Sequence, residues 1–444
     1  MKKINQWEES KFLRLFFACL SACFVIAAFL MPDRGTMLSG FWKILTGTCK
    51  VSTNYFAEGG YAATFLNMGL VGVMCLLLFV VFKGTPNNAS TLAFILTVGF
   101  GSWGINILNI LPTIFGVMVY CLVKKEKFGA NVNAMLFSTG IAPLITDLMI
   151  RYPNAEAVGF NLQGILLSLL VGLVIGFFLP AGLTNSPKVH KGFDLYSAAL
   201  PIGMTAFFLN ATLFKTLGVT LPAGADAAQL QVASRMTVNV FCIIVFGICV
   251  GAALLLGCKP KDYWRLLSDP ALVTNFSSTY GNAVFLMNMG IFGLFILGYY
   301  NLIGASFNGV TFGIIFCMLC TCNSGSHPGN VWPIMLGYFV ASTVCGWIAP
   351  LFGGNFTLAI NAQAICVGLC YANGLSPIAD KYGWQYGFVA AVMHYLLVTS
   401  VPTLHGGFCL YNGGFTAALI CIILVPELER FCKTKDERKA LKTK

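Results

Sequence analysis

The chain has 444 residues, 57% of them hydrophobic and only 10% charged, with a formal net charge of +11. Soluble domains carry about 25% charged residues, so a soluble enzyme, a disordered chain and a nucleic-acid-binding domain are excluded; apolar residues in long runs rather than in alternation exclude a transmembrane barrel. At about 20 residues per crossing, the apolar content leaves room for roughly ten to fourteen helices, which makes this an all-α integral membrane protein.

The first apolar run, 12–31, follows Lys2, Lys3, Lys11 and Arg14. It is too long for a signal-peptide core and reads as a retained first helix entering from the cytoplasm. The segment 36–56, which carries Lys43 and Lys50, reads as an amphipathic piece along the interface. Further apolar elements follow at 61–82, 91–103, 106–123, 132–150, 162–181 and 194–214. A second series occupies 235–257, 280–303, 308–322, 329–350, 356–375, 385–402 and 408–426. In each series the third and fourth elements are short and flank a Gly-rich turn, so they are either a pair of thin helices or a re-entrant hairpin. Nearly all 17 cysteines lie inside apolar runs, where they read as small packing residues.

The two series match in sequence. Gly60–Gly116 aligns without gaps to Gly281–Gly337 at a constant offset of 221. That register pairs Asn67-Met68-Gly69 with Asn288-Met289-Gly290, Gly104 with Gly325, Asn109 with Asn330 and Pro112 with Pro333. Farther on, Gly140-Ile141-Ala142-Pro143 meets Gly374-Leu375-Ser376-Pro377, and the segment His190 to Tyr196 meets His405 to Tyr411. The expected architecture is therefore two repeats, 1–230 and 231–444, each with seven apolar elements: about five full crossings plus the short paired or re-entrant element. An odd number of crossings per copy makes the topology inverted. The distribution of cations agrees. Lys124 to Lys127, Lys188 to Lys191, Lys259 to Arg265 and the tail from Arg430 fall inside, while the cation-poor loops 152–159 and 351–355 fall outside. Both termini are then cytoplasmic.

Inverted repeats are a signature of transporters, whose sites lie near the midplane at broken segments in matching positions. The segments here are 101–112 and 323–333. Gly104, Asn106, Asn109 and Pro112 in the first, with Gly325, His327, Asn330 and Pro333 in the second, are the candidate solute path. Their alternative role is to satisfy broken helix ends. Asn67 and Asn288, one helix earlier, line the path or glue helices. His394, alone in the middle of its run, is either a proton relay or a satisfied core residue. Asp147 beside Arg151 reads as an interfacial ion pair, and Asp194, Asp380 and Lys381 as helix-end residues. Cys317, Cys320 and Cys322 with His327 have metal-ligand side chains, but the first series has Leu96, Gly99 and Gly101 at the cysteine positions, so no metal and no cofactor is expected. No catalytic motif is present, and the chain reads as a non-enzyme.

These duplicated Asn-Met-Gly, Gly-x-(Asn/His)-x-x-Asn-x-x-Pro and His-x-Gly-Phe-x-Leu-Tyr motifs resemble a family of bacterial multi-pass proteins built on domain of unknown function 1576. The resemblance covers most of the chain and implies the bacterial inner membrane, with no established activity. In architecture the chain is also similar to urea transporters, which use two inverted halves with a re-entrant segment in each. The nucleobase and anion transporters with seven-plus-seven inverted repeats fit the element count equally. The function expected from all this is passage of a small polar solute, neutral or anionic, through a channel or transporter. An ion-coupled carrier of a nucleobase- or anion-like substrate is the alternative, and a membrane-embedded enzyme or a scaffold stands behind it. The expected partners are the solute and the lipid bilayer, with a homo-oligomer compatible and nucleic acid excluded.

Overall fold

The computed structural model describes residues 2–5, 7–50, 52–152, 159–221, 234–268 and 274–442. The expected repeat boundary at 230/231 and most of the loop 152–159 lie outside them. Among the described residues all regular structure is helical. In chain order the helices are α1 (Glu9–Leu30), α2 (Met37–Thr46), α3 (Tyr61–Val81), α4 (Asn88–Phe100), α5 (Leu111–Lys124), α6 (Val132–Ser138), α7 (Ala142–Arg151), α8 (Leu162–Val189) and α9 (Ala199–Asn210). The order then recurs with α10 (Arg235–Leu255), α11 (Pro260–Leu267), α12 (Asn282–Leu302), α13 (Gly309–Leu319), α14 (Pro328–Ile348), α15 (Gln363–Ala372), α16 (Ser376–Tyr382), α17 (Trp384–Val398) and α18 (Asn412–Phe431), before the polar α19 (Lys435–Lys442). Among the described residues seven stretches are long and apolar enough to cross a membrane: Glu9–Leu30, Tyr61–Val81, Phe128–Arg151, Leu162–Val189, Arg235–Leu255, Asn282–Leu302 and Pro328–Phe352.

Small residues decide which helices pair, because association in lipid rests on close backbone approach. Gly69 and Gly72 on α3 face Ser21 and Val25 on α1, and Gly290 and Gly293 on α12 face Phe246 and Val250 on α10. A close backbone approach also joins α5 to α8. A Cβ on Gly176 would sit 2.0 Å from the backbone carbon of Gly116, and one on Gly172 would sit 2.3 Å from the oxygen of Pro112. Phenylalanines then join the first half to the second. Phe24 lies 5.1 Å from Phe241 and 5.2 Å from Phe316 between ring centroids, and Phe65 lies 4.8 Å from Phe241.

Four expected helix starts are corrected. The element expected at 106–123 is helical only from Leu111, because the side chains of Asn106 and Asn109 bond the backbone of the preceding turn. The element expected at 194–214 begins at Ala199. Upstream, the Leu195 N–H donates to the Gly374 carbonyl of another helix pair, and the Tyr196 N–H to Asp194 Oδ1. The element at 408–426 likewise begins at Asn412, since the Leu410 N–H is spent on Gly140 O. The run 356–375 becomes helical only at Gln363. The segment expected along the interface folds as α2, with Leu38 and Trp42 exposed and Met37, Gly40, Ile44 and Leu45 buried.

If the α5–α8 seam sets the packing, Gly176→Leu lowers thermal stability in detergent by more than about 3 kcal/mol. Gly247→Ala, where an added Cβ meets nothing within 4 Å, leaves it unchanged.

Candidate functional site

Helices α4 and α13 each start at an asparagine cap. Ser90 N donates to Asn87 Oδ1 at 3.1 Å, and Thr311 N to Asn308 Oδ1 at 3.0 Å. Both helices run into the protein interior and break. Breaking a helix away from water leaves carbonyls that need new donors, and one asparagine per break supplies them. Asn67 Nδ2 donates to Gly101 O and Ile105 O, both at 2.7 Å. Asn288 Nδ2 donates to Cys322 O at 2.8 Å and Ser326 O at 2.9 Å.

The turns that follow are closed in the same way. Asn106 and Asn109 exchange backbone and side chain: each N–H donates to the other's Oδ1 at 2.9 Å. In the second turn the His327 N–H donates to Asn330 Oδ1 at 3.0 Å, and His327 Nδ1 accepts from the Gly329 N–H at 3.1 Å. Asn109 Nδ2 donates to Gly104 O and to Thr146 Oγ1; Asn330 Nδ2 donates to Gly325 O and to Asp380 Oδ2. Pro112 stands in the first turn of α5, whereas Pro333 stands inside α14, which begins at Pro328. The x-x spacing in Asn-x-x-Asn and His-x-x-Asn is thus the spacing of a reciprocal cap.

The two turns do not face each other. Ser102 Oγ donates to Gly309 O at 2.7 Å, Gly99 lies against Gly313, Cys317 Sγ lies 3.9 Å from Leu96 O, and Ser324 Oγ donates to Asn88 Oδ1 at 3.0 Å. One residue number falls as the other rises, so α4 and α13 run antiparallel. Helices of this length put their far ends roughly 20 Å apart. Asn106 and Asn109 therefore sit at one end of the pair, and His327 and Asn330 at the other.

Each turn has its own lid. The first is covered by the chain after α2: Asn106 Nδ2 donates to Ile44 O, and the Cys49 thiol lies 3.6 Å and 3.5 Å from the carbonyls of Trp103 and Gly104. Burial pushes that thiol up to about 12, so it stays protonated and donates. Burial pulls the neighbouring Lys50 ammonium below its ordinary value, with Asp147 pulling it back. The second turn is covered by Thr274 and Ser277, and the Glu9 carboxylate holds Asn275 and Ser277 in place at 2.8–2.9 Å.

Between the turns, where α4 and α13 cross, lies a cluster that the path residues named from sequence do not include. Tyr196 OH donates to Cys317 O at 2.9 Å and Cys370 O at 3.0 Å. Asn373 Nδ2 donates to Met318 O and Thr321 Oγ1, and Tyr371 OH donates to Leu410 O. The Tyr411 ring stands 5.4 Å from Phe100 and 6.2 Å from Tyr371. Gly140 and Gly374 make room for two of these rings, since an added Cβ would lie 2.3 Å from Tyr411 and 2.5 Å from Tyr196. The available signal was the paired Gly-x-x-Pro breaks together with the tyrosine closing each His-x-Gly-Phe-x-Leu-Tyr segment. Tyr411 OH and Asn373 Oδ1 are fully buried and have no hydrogen-bond partner.

His394 has both ring nitrogens engaged, with Tyr338 OH at 2.5 Å and Gly413 O at 2.8 Å. Asp147 and Arg151 do pair, at 2.9 Å, but both are buried. Asp380 lies near the end of α16 and Asp194 ahead of α9, and both are buried: the first receives Asn330, and the second packs against Gly374 with Oδ2 unpartnered.

Fold and site together define a protein whose described residues are helical throughout their regular structure, with seven stretches among them apt to cross a membrane and a polar cluster between two capped breaks. The chain belongs to the family described as protein of unknown function (DUF1576), whose model matches residues 34–215 and 260–430. Comparison with curated proteins and with solved structures gave no match.

Asn288→Leu orphans two buried carbonyls, and we expect it to lower stability by about 2–5 kcal/mol in detergent unfolding. Tyr196→Phe frees two carbonyls and costs about 1–3 kcal/mol, while Tyr411→Phe, which removes a buried hydroxyl without a partner, raises stability by about 1–3 kcal/mol.

Proposed function

We propose that this protein is a membrane transport protein, channel or carrier, for a small polar solute that is neutral or anionic. It is no enzyme in this reading, and it resides in the bacterial inner membrane with both termini in the cytoplasm. The two halves are inverted repeats about the α4–α13 crossing. Support for the inversion comes from helices that occupy the same place in the order of each half yet run antiparallel against each other. The equivalent bonds of Asn67 and Asn288, and of Asn109 and Asn330, support it as well.

The observation that carries transport is the pair of unpartnered buried atoms, Tyr411 OH and Asn373 Oδ1, at that crossing. Each unmade bond costs about 1–3 kcal/mol, which a bound solute would recover. A hydroxyl and an amide oxygen suit a solute that both donates and accepts. The Asn106–Asn109 and His327–Asn330 turns are the gates on either side, with Gly104, Pro112, Gly325 and Pro333 shaping them. The closed turns correspond to an occluded state. One observation favours the second reading, an ion-coupled carrier of an anion- or nucleobase-like substrate: Asp194 brings a buried carboxylate oxygen without a partner next to the Gly374 break.

The test is stopped-flow uptake into proteoliposomes over a panel of small neutral and anionic solutes, with and without an imposed proton gradient. The reading expects flux of at least one solute, reduced about tenfold or more by Tyr411→Phe in a protein at least as stable as wild type. Flux only with the gradient, abolished by Asp194→Asn, selects the coupled carrier. No flux across the panel, or flux indifferent to Tyr411→Phe, overturns the path drawn here.

A further inference from the structure

Among the described residues three non-glycine residues adopt the left-handed backbone conformation, and all three are lysines: Lys83 (φ 54°), Lys125 (φ 56°) and Lys191 (φ 52°). Each stands where the second half uses glycine. Lys83 closes α3 with its N–H on Val80 O and the Gly84 N–H on Phe79 O; Gly304 closes α12 with the same two bonds, to Asn301 O and Tyr300 O. Lys125 and Glu126 cap α5 on Leu122 O and Cys121 O, as Gly353 and Gly354 cap the helical turn after α14 on Pro350 O and Ala349 O. Lys191 precedes Gly192 as Gly406 precedes Gly407, with φ 61° and 78° for the glycine pair. Glycine is the residue such caps favour, since a side chain there meets the following carbonyl. A lysine at all three caps keeps a positive charge on one end of the helices against the backbone's own preference.

Two of these loops, at the ends of α3 and α5, line an open cavity of about 820 Å³. Lys83, Lys127, Thr85, Asn87 and Asn133 give it a cationic, hydrogen-bonding rim, and Phe79, Val81, Phe82 and Phe128 an apolar wall. Val81 of that wall is exposed, as are Val80 beside it and Leu122 and Val123 at the end of α5. A basic mouth opening onto a lipid-facing wall matches an anionic phosphate ester that carries acyl chains.

We propose that this cavity binds the headgroup of an anionic phospholipid, with Lys83 and Lys127 on the phosphate and the chains lying along Val81 and Phe82. The proposal is independent of transport, and its test measures no flux. Native mass spectrometry of the detergent-purified protein is titrated with phosphatidylglycerol, with phosphatidylcholine, and with phosphatidylglycerol in the presence of inorganic phosphate. Wild type is expected to retain phosphatidylglycerol over phosphatidylcholine, unaffected by inorganic phosphate. Loss of each lysine is expected to weaken retention roughly fivefold. Lys83→Gly removes the backbone strain with the charge, so lipid binding falls while the lipid-free melting temperature holds or rises. Lys188→Gln with Lys433→Gln, which remove the same charge elsewhere, retain the lipid. Equal retention in Lys83→Gly/Lys127→Gln and wild type overturns the site. Displacement by inorganic phosphate overturns the lipid as its occupant.

Discussion

Everything in this fold depends on one requirement: a helix broken away from water must find hydrogen-bond partners inside the protein. Helices α4 and α13 both break in the interior, and a single carboxamide one helix away, Asn67 or Asn288, bonds two of the freed carbonyls at each break. Asparagine suits this work because its NH₂ gives two donors while its oxygen remains available to accept. Asn109 and Asn330 use both ends in this way, the oxygen on the turn and the nitrogen on a glycine carbonyl and a neighbouring helix. Once those bonds are made, Gly99 and Gly313 let the two short helices touch, and the aromatic core assembles around them.

The two halves agree where geometry dictates the residue and differ where surroundings do. The interior bonds of Asn67 and Asn288 are repeated almost atom for atom. The groups that receive Asn109 and Asn330 are a threonine hydroxyl and a carboxylate, Thr146 and Asp380. Position 106 is an asparagine and its counterpart His327, whose Nε2 is buried and unpartnered. Helix ends in the first half carry lysine where matching ends in the second carry glycine. On the proposed inverted arrangement, such differences give the two gates different chemistry and give the molecule a defined orientation.

Helical class, the matching segments and the breaks at Gly104 and Gly325 were legible in the sequence, because apolar runs, Gly, Pro and buried Asn act locally. The direction in which broken segments point was not. Asn109 and Asn330 look like partners in a linear alignment, yet antiparallel packing of α4 on α13 separates them. The late starts of α9 and α18 escaped for a related reason: Leu195 and Leu410 give up helical bonds to carbonyls at Gly374 and Gly140, a tertiary trade that apolar periodicity does not record. The tyrosines of the centre were visible only as the last residues of matched segments.

The central claim is that corresponding helices in the two halves point in opposite directions across the membrane. Single cysteines at Lys125 and Gly353, which close corresponding helices, test it directly through labelling with a membrane-impermeant maleimide in intact and in opened cells. The account predicts that the cysteine at 353 labels in intact cells and the one at 125 only after the cells are opened. Labelling of both from the same side would contradict it.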